Sequence, residues 1–103
     1  MKAVILTGGK GERLGGISKK IPKPMIKISG KPVLEHNILM CEASGVKDLY
    51  LNLHHLPDVI KNYFEEGRDW GVNIRYKYEK SLLGAAGTVF NFKEFLDSTF
   101  FVI

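Results

Sequence analysis

The sequence predicts an α/β fold, a parallel sheet with helices on both faces. Three observations carry it. Short apolar runs alternate with stretches whose apolar residues recur at helical spacing, in the order strand, helix, strand, helix, strand, helix, strand. Glycine and proline stand at the joints between them. The first run, Ala3-Val4-Ile5-Leu6, is apolar without alternation, as a strand buried on both faces must be.

The elements follow in order. Ala3 to Leu6 forms the first strand, and Gly8-Gly9 ends it in a loop. Pro32 stands where a first helical turn can begin, and Leu34, Ile38 and Cys41 point inward until Gly45 stops the helix. "DLYLNL" alternates Leu49, Leu51 and Leu53 as a second strand. Pro57 opens a second helix that turns Ile60, Tyr63 and Phe64 inward before Gly67, and Trp70 anchors the turn that follows. "VNIRYKYE" sets Val72, Ile74, Tyr76 and Tyr78 against Asn73, Arg75, Lys77 and Glu79, the pattern of a half-wetted edge strand. "KSLLGAAGT" reads as a loop, after which Val89, Phe92 and Leu96 face a core from a third helix, and "TFFVI" begins a fourth strand. The chain of 103 residues is read as one domain, 1–103. It ends inside an apolar strand, with a carboxylate on Ile103 where a buried sheet continues into a polar loop, and so is expected to be truncated.

Charge narrows the function. The formal net charge is +4, but seven cations between Lys10 and Lys31 face the single acid Glu12, a local +6 that leaves −2 elsewhere. One cationic, glycine-rich loop on a nearly neutral body suits a small polyanion. A nucleic-acid binder fits less well, because no aromatic residues are interleaved with the lysines. The apolar run near the amino terminus is too short for a signal peptide or a membrane span. The single cysteine, Cys41, has no intramolecular partner, and no Cys and His cluster has zinc spacing. No membrane partner, no metal ligand within the chain and a cytoplasmic location are expected.

In parallel sheets a ligand binds beyond the carboxyl ends of the strands, where the loop after the first strand lies. Gly8, Gly9 and Gly11 allow a backbone to turn and bring its N–H groups close to phosphate oxygens. An isolated Gly-Gly turns a chain out of a strand as readily as it binds phosphate, but Arg13 and Lys23 supply the compensating charge. Pro22 and Pro24 hold Lys23 in an extended segment, so little freedom is lost on binding. The dinucleotide pattern GxGxxG fails at Leu14, and the second strand ends in Asn52 and His54 without a carboxylate for a ribose. No GKS or GKT is present for a P-loop.

"LTGGKGERLGGISKKIPKPM" resembles the signature of the sugar-1-phosphate nucleotidyltransferases, a GGxGxRL segment followed at this spacing by PKPM. "SGKPVLEHNI", "NLHHLPDVIKNYF" and "LLGAAGT" extend the resemblance over essentially the whole chain. The wording is most similar to guanylyltransferases acting on mannose 1-phosphate or heptose 1-phosphate. The resemblance implies the amino-terminal, nucleotide-binding part of the Rossmann-like nucleotide-diphospho-sugar transferase fold. It implies attack by the sugar phosphate oxygen on the α-phosphorus of a nucleoside triphosphate, GTP in this subfamily, with release of pyrophosphate. Leu6, Gly8, Gly9, Gly11 and Glu12 would border the nucleotide, Arg13 would grip the β and γ phosphates, and Lys23 would neutralise charge near the α-phosphate. Arg13 and Lys23 are thus the expected catalytic pair, and Gly84 and its neighbours would border the base.

Glu12 replaces a frequent threonine and Gly15-Gly16 a frequent Arg-Pro. The family's Mg2+-binding aspartate is expected beyond Ile103, and the sugar-binding half later still. By this comparison the 103-residue chain alone is catalytically incomplete. Glu79 is a candidate acceptor for a base donor, against the plainer reading of an edge-strand glutamate in solvent. His36 reads as a surface residue; His54 and His55 follow the second strand on the ligand side and read as solvated loop residues or a local hydrogen-bond partner, against the alternative that one approaches the ligand; Lys19 and Lys20 read as anion-steering charges. Family members assemble in several ways, which leaves room for a homo-oligomer. The rival class is a non-catalytic nucleotide-binding or regulatory domain of the same fold.

Overall fold

Strand β1, Lys2–Leu6, is paired on both sides, with β4 (Asp48–Leu53) and with β6 (Phe100–Val102). The computed structural model describes residues 2–7, 21–80, 84–93 and 100–102. Strand β5, Asn73–Tyr78, pairs with β4, and the four strands form a parallel sheet in the order β5-β4-β1-β6. From β1 the chain steps one way, through α1 (Val33–Ala43) to β4 and through α2 (Pro57–Phe64) to β5. It then crosses back by α3 (Gly84–Asn91) to β6 on the other side of β1. Right-handed crossovers that reverse direction place their helices on opposite faces.

The packing matches that topology. On one face Ala3 and Ile5 meet Leu49, Leu51, Leu53 and Ile74 under Leu34, Ile38 and Cys41 of α1 and Ile60 and Phe64 of α2. On the other, Val4 and Tyr50 pack against Phe92, just past α3, with the Tyr50 and Phe92 rings 5.4 Å apart. Every residue of β4 from Leu49 to Leu53 is buried, so the alternation of its leucines hides a strand covered on both sides. Cys41 is buried as expected, and burial pushes its thiol pKa up, which keeps it inert.

Two side chains and two elements depart from the expected pattern. Tyr63 is 42% exposed rather than inward, because its hydroxyl donates to Glu35 Oε1 at 2.8 Å and its ring lies on Trp70. That bond, with burial adding to it, raises the phenol's pKa. Along β5, Ile74 is buried and Tyr76 half-buried, but Tyr78, farthest toward the carboxyl end, is exposed. Helix α3 begins at Gly84, inside the segment read as a loop, where alanines at 85 and 86 favour helix. Leu96 lies outside the described residues. A two-residue hairpin that the sequence reading omitted, β2 (Lys27–Ile28) with β3 (Lys31–Pro32), turns through Ser29 and Gly30, both at positive φ. His36 Nε2 donates to the Ile28 carbonyl at 2.7 Å and ties this hairpin to α1.

After α2 the chain must double back into β5, and Gly67 makes the corner. It sits at φ +88°, and its carbonyl accepts from Trp70 and Val72. A Cβ there would lie 2.8 Å from Ile74 Cγ1 and 2.9 Å from the Val72 carbonyl oxygen. Gly67→Ala is therefore expected to destabilise the protein by at least about 1–3 kcal/mol, the strain of such a conformation alone, seen as a lower urea midpoint. An unchanged midpoint would contradict this account of the corner.

Tyr76 supplies a second test. Its hydroxyl donates to the Glu65 carbonyl at 2.7 Å, and burial, assisted by the nearby Glu65 charge, pushes its pKa up to about 12. A raised folded-state pKa means stability that is whole below the ordinary tyrosine value and is lost as pH climbs toward the folded value. Between pH 10 and pH 12 the melting temperature of Tyr76→Phe should fall less steeply than that of the wild type.

Candidate functional site

The carboxyl ends of β1, β4 and β5 carry buried polar residues. Thr7 follows β1, Asn52 is the fifth residue of β4, and Glu79 follows β5; all three are buried. They form one hydrogen-bonded group. The Thr7 backbone N–H donates to Asn52 Oδ1 at 2.6 Å, and the Thr7 hydroxyl donates to the Asn52 carbonyl. Asn52 Nδ2 donates to Glu79 Oε1 at 3.1 Å and reaches Thr88 Oγ1 at 3.5 Å. The Thr88 hydroxyl donates to Glu79 Oε2 at 2.6 Å. His54 Nδ1 donates to the Glu79 carbonyl at 2.6 Å, so the imidazole carries its proton there. No buried side-chain nitrogen or oxygen among the described residues lacks a partner.

Glu79 thus differs from both of its expected environments. At 4% exposure it is neither in solvent nor open-ended, since each carboxylate oxygen already accepts a hydrogen bond. Each oxygen keeps a second lone pair. His54 is the local hydrogen-bond partner that the sequence suggested.

Lys23 approaches the same edge from another direction. Instead of lying in an extended segment, it opens a 3-10 turn, Lys23–Met25, because Met25 N–H closes back on the Pro22 carbonyl at 2.8 Å. Pro22 alone is extended. Pro24 fits inside the turn because its missing N–H is not needed there. The side chain of Lys23 is exposed between Pro22 and Met25, both buried, so the backbone beneath it is anchored on each side. A cleft of about 270 Å3 lies between Lys23 and Pro24, the end of β1 at Leu6 and Thr7, and Val33, Leu34 and Asn37 of α1. Leu6 is part-exposed at its rim.

Gly84 opens α3 at φ +74°, where any other residue is strained although nothing stands within 4 Å of a Cβ. The structure therefore brings Leu6 and Lys23 to one cleft, and connects Thr7 at its edge through Asn52 to Glu79 and to the helix that Gly84 begins. Gly8, Gly9, Gly11, Glu12 and Arg13, with Lys19 and Lys20, lie outside the described residues. The sequence reading missed Thr7, Asn52 and Thr88. Asn52, a polar residue inside "LYLNL", was the visible signal.

Among the described residues no group of three or more His, Cys, Asp or Glu is disposed to hold a metal ion, and no helix is long and apolar enough to cross a membrane.

The sequence profile of the nucleotidyl transferase family matches residues 2–103. The whole chain aligns at 38% identity with a UTP–glucose-1-phosphate uridylyltransferase of Synechocystis and, also at 38%, with a D-glycero-alpha-D-manno-heptose 1-phosphate guanylyltransferase of Campylobacter jejuni. It spans 30% and 46% of those proteins, less than half of either. Among solved structures, HddC from Yersinia pseudotuberculosis complexed with GMP-PN superposes on 99% of the chain with a TM-score of 0.84 and 34% identity. The chain covers 46% of it. A putative glucose-1-phosphate thymidylyltransferase from Bacillus anthracis superposes on 100% with a TM-score of 0.91 and 25% identity, and the chain covers 43% of it. With its parallel sheet, its reversed third crossover and this match along its length, the chain belongs to the nucleotidyl transferase family.

Proposed function

We propose that the whole protein transfers a nucleotidyl group from a nucleoside triphosphate, GTP by preference, to a sugar 1-phosphate, yielding a nucleotide sugar and pyrophosphate. The observation that carries this reading is the family match over residues 2–103. The names of the relatives support the reaction class, and those of the heptose and mannose guanylyl enzymes, with GMP-PN in the Yersinia structure, favour guanine. The Synechocystis uridylyltransferase is the reason to test uridine beside it. A cytoplasmic location goes with such soluble substrates.

In this mechanism the nucleophile is an anionic phosphate oxygen, so no side chain has to activate it. A bond forms from that oxygen to the α-phosphorus while the bond from the α-phosphorus to the bridging oxygen breaks, and pyrophosphate leaves with the electron pair. The protein's share is positioning and charge stabilisation. Backbone N–H groups at Gly8, Gly9 and Gly11, next to Leu6 and Glu12, cradle the triphosphate. Arg13 forks onto the β and γ phosphates. The ammonium of Lys23, set on its anchored turn, offsets charge at the α-phosphate. Gly84 and the remaining acceptor capacity of Glu79 border the base. Magnesium is the cofactor expected of such chemistry, but the described residues do not form a site for it: they contain no suitable donor cluster, and Glu79 is engaged by Asn52 and Thr88.

The test is pyrophosphate release by the intact protein with GTP, UTP, dTTP and CTP against mannose, heptose and glucose 1-phosphates. GTP with mannose or heptose 1-phosphate should turn over fastest. Replacing Arg13 and Lys23 together by Met should lower kcat/KM by at least about 10²–10³, the cost of one lost oxyanion donor, while leaving the melting temperature within a few degrees. Release with no nucleotide, or full activity in the double variant, would overturn the reading.

A further inference from the structure

Asn52 stands where a leucine would pack more easily. Its neighbours in β4, Leu51 and Leu53, are fully buried, and it is itself 4% exposed. Burying an amide is tolerable only when its donors and acceptor are satisfied, and here they are satisfied by three separate parts of the chain. A main-chain N–H can only donate, so Asn52 Oδ1 must face Thr7, and this fixes Nδ2 toward Glu79 and Thr88. The amide has one allowed orientation.

The partners are not scattered. Thr7 immediately precedes Gly8, the first glycine of the loop proposed to hold the triphosphate. Glu79 follows the strand leading to the proposed base-side loop, and Thr88 lies one helical turn beyond Gly84. We infer that Asn52 is a positioning residue: its carboxamide fixes Thr7, just before the proposed triphosphate-side loop, relative to Glu79, just before the proposed base-side loop, without touching the nucleotide. The inference rests on the proposed nucleotidyl transfer. Thr88 completes it by holding the second oxygen of Glu79, so that neither carboxylate oxygen is free to swing toward the phosphates.

Asn52→Asp probes this directly, because it keeps the shape and the acceptor for Thr7 but sets an oxygen against Glu79 Oε1. Two facing carboxylates repel when both are ionised and share a proton when they are not. The titratable and charged neighbours are Glu79 itself, His54 on the Glu79 carbonyl, and Lys77, which lies beside Asn52 in the β4–β5 register and donates to the Asn91 carbonyl at 3.3 Å, with Tyr50 and Arg75 as the next register pair along the same face. All of these are common to wild type and variant, so a difference between their pH profiles reports the added carboxyl.

The measurement is KM for GTP and kcat of the intact protein from pH 6 to pH 8.5, with binding of GTP measured alongside. Asn52→Asp should raise KM by roughly tenfold or more at pH 8.5, as expected for losing a hydrogen bond to a charged group. The rise should shrink toward pH 6, with kcat changing less and the wild-type KM changing little over the same range. Thr88→Val should raise KM in the same direction, and Thr88→Ser should restore it. If Asn52→Asp does not fold, the Val and Ser pair decides. A KM for Asn52→Asp equal to wild type at every pH, or Thr88→Val and Thr88→Ser alike in KM, would overturn the inference while leaving nucleotidyl transfer intact. A wild-type protein that neither binds nor turns over any nucleoside triphosphate would overturn both.

Discussion

A parallel strand in the interior of a sheet has no wet side, and β1 meets that condition in full. It is hydrogen-bonded by β4 on one side and β6 on the other, with α1 and α2 over one face and α3 over the opposite one. Ala3, Val4 and Ile5 can therefore be nothing but apolar, and the strand's polar character is deferred to Thr7. Because the chain steps from β1 to one side and later crosses back to β6 on the other, the crevice of the sheet opens at that same end. One strand thus determines where the core lies and where a ligand can enter.

The two faces of the sheet are used differently. Under α1 and α2 the side chains are apolar along the whole length of β4, from Leu49 to Leu53. Under α3 the same strand changes character halfway, with Tyr50 against Phe92 and then Asn52 against Thr88. The spacing allows it: two residues of a strand advance about 6.6 Å and four residues of a helix about 6 Å. Thr88 and Phe92 therefore match Asn52 and Tyr50 pair for pair, with the chain of α3 running back along the strand. The apolar pair fastens the segment to the sheet, and the polar pair, at the carboxyl edge, fixes its beginning relative to Thr7 and Glu79.

Much of this was legible before any coordinates. The uninterrupted apolar run of β1, the prolines opening α1 and α2, and the stops at Gly45 and Gly67 read directly as strand and helix limits, because each reflects a local backbone constraint. What escaped were contacts between distant residues. Nothing local to Glu79 says that Asn52 and Thr88 will enclose it; that requires the register of β4 with β5 and the crossing of α3. Tyr63 was misjudged for a similar reason, since helical spacing does not reveal that Glu35 and Trp70 offer it a polar and an aromatic partner at the surface. The prolines flanking Lys23 predict an extended segment, but the structure holds it in a 3-10 turn between buried Pro22 and Met25. The short hairpin carries its signal in its turn residues, Ser29 and Gly30, set among lysines.

Carboxylate placement near a polyanion is the hardest electrostatic demand on such an edge. An unsatisfied Glu79 would repel phosphate and would also be costly to bury. Donors from Asn52 and Thr88 meet both difficulties: they stabilise the carboxylate in place, and they come from residues whose other bonds or backbone belong to the flanking loops. The cation, Lys23, sits at the edge on a separate buried support, exposed to solvent and beside the cleft at Leu6 and Thr7. Positive charge is thereby presented and negative charge is restrained, by elements that do not share a hinge. For the proposed nucleotidyl transfer, whose nucleophile would arrive already ionised, that arrangement would supply a fixed distance between charges and little to reorganise on substrate binding.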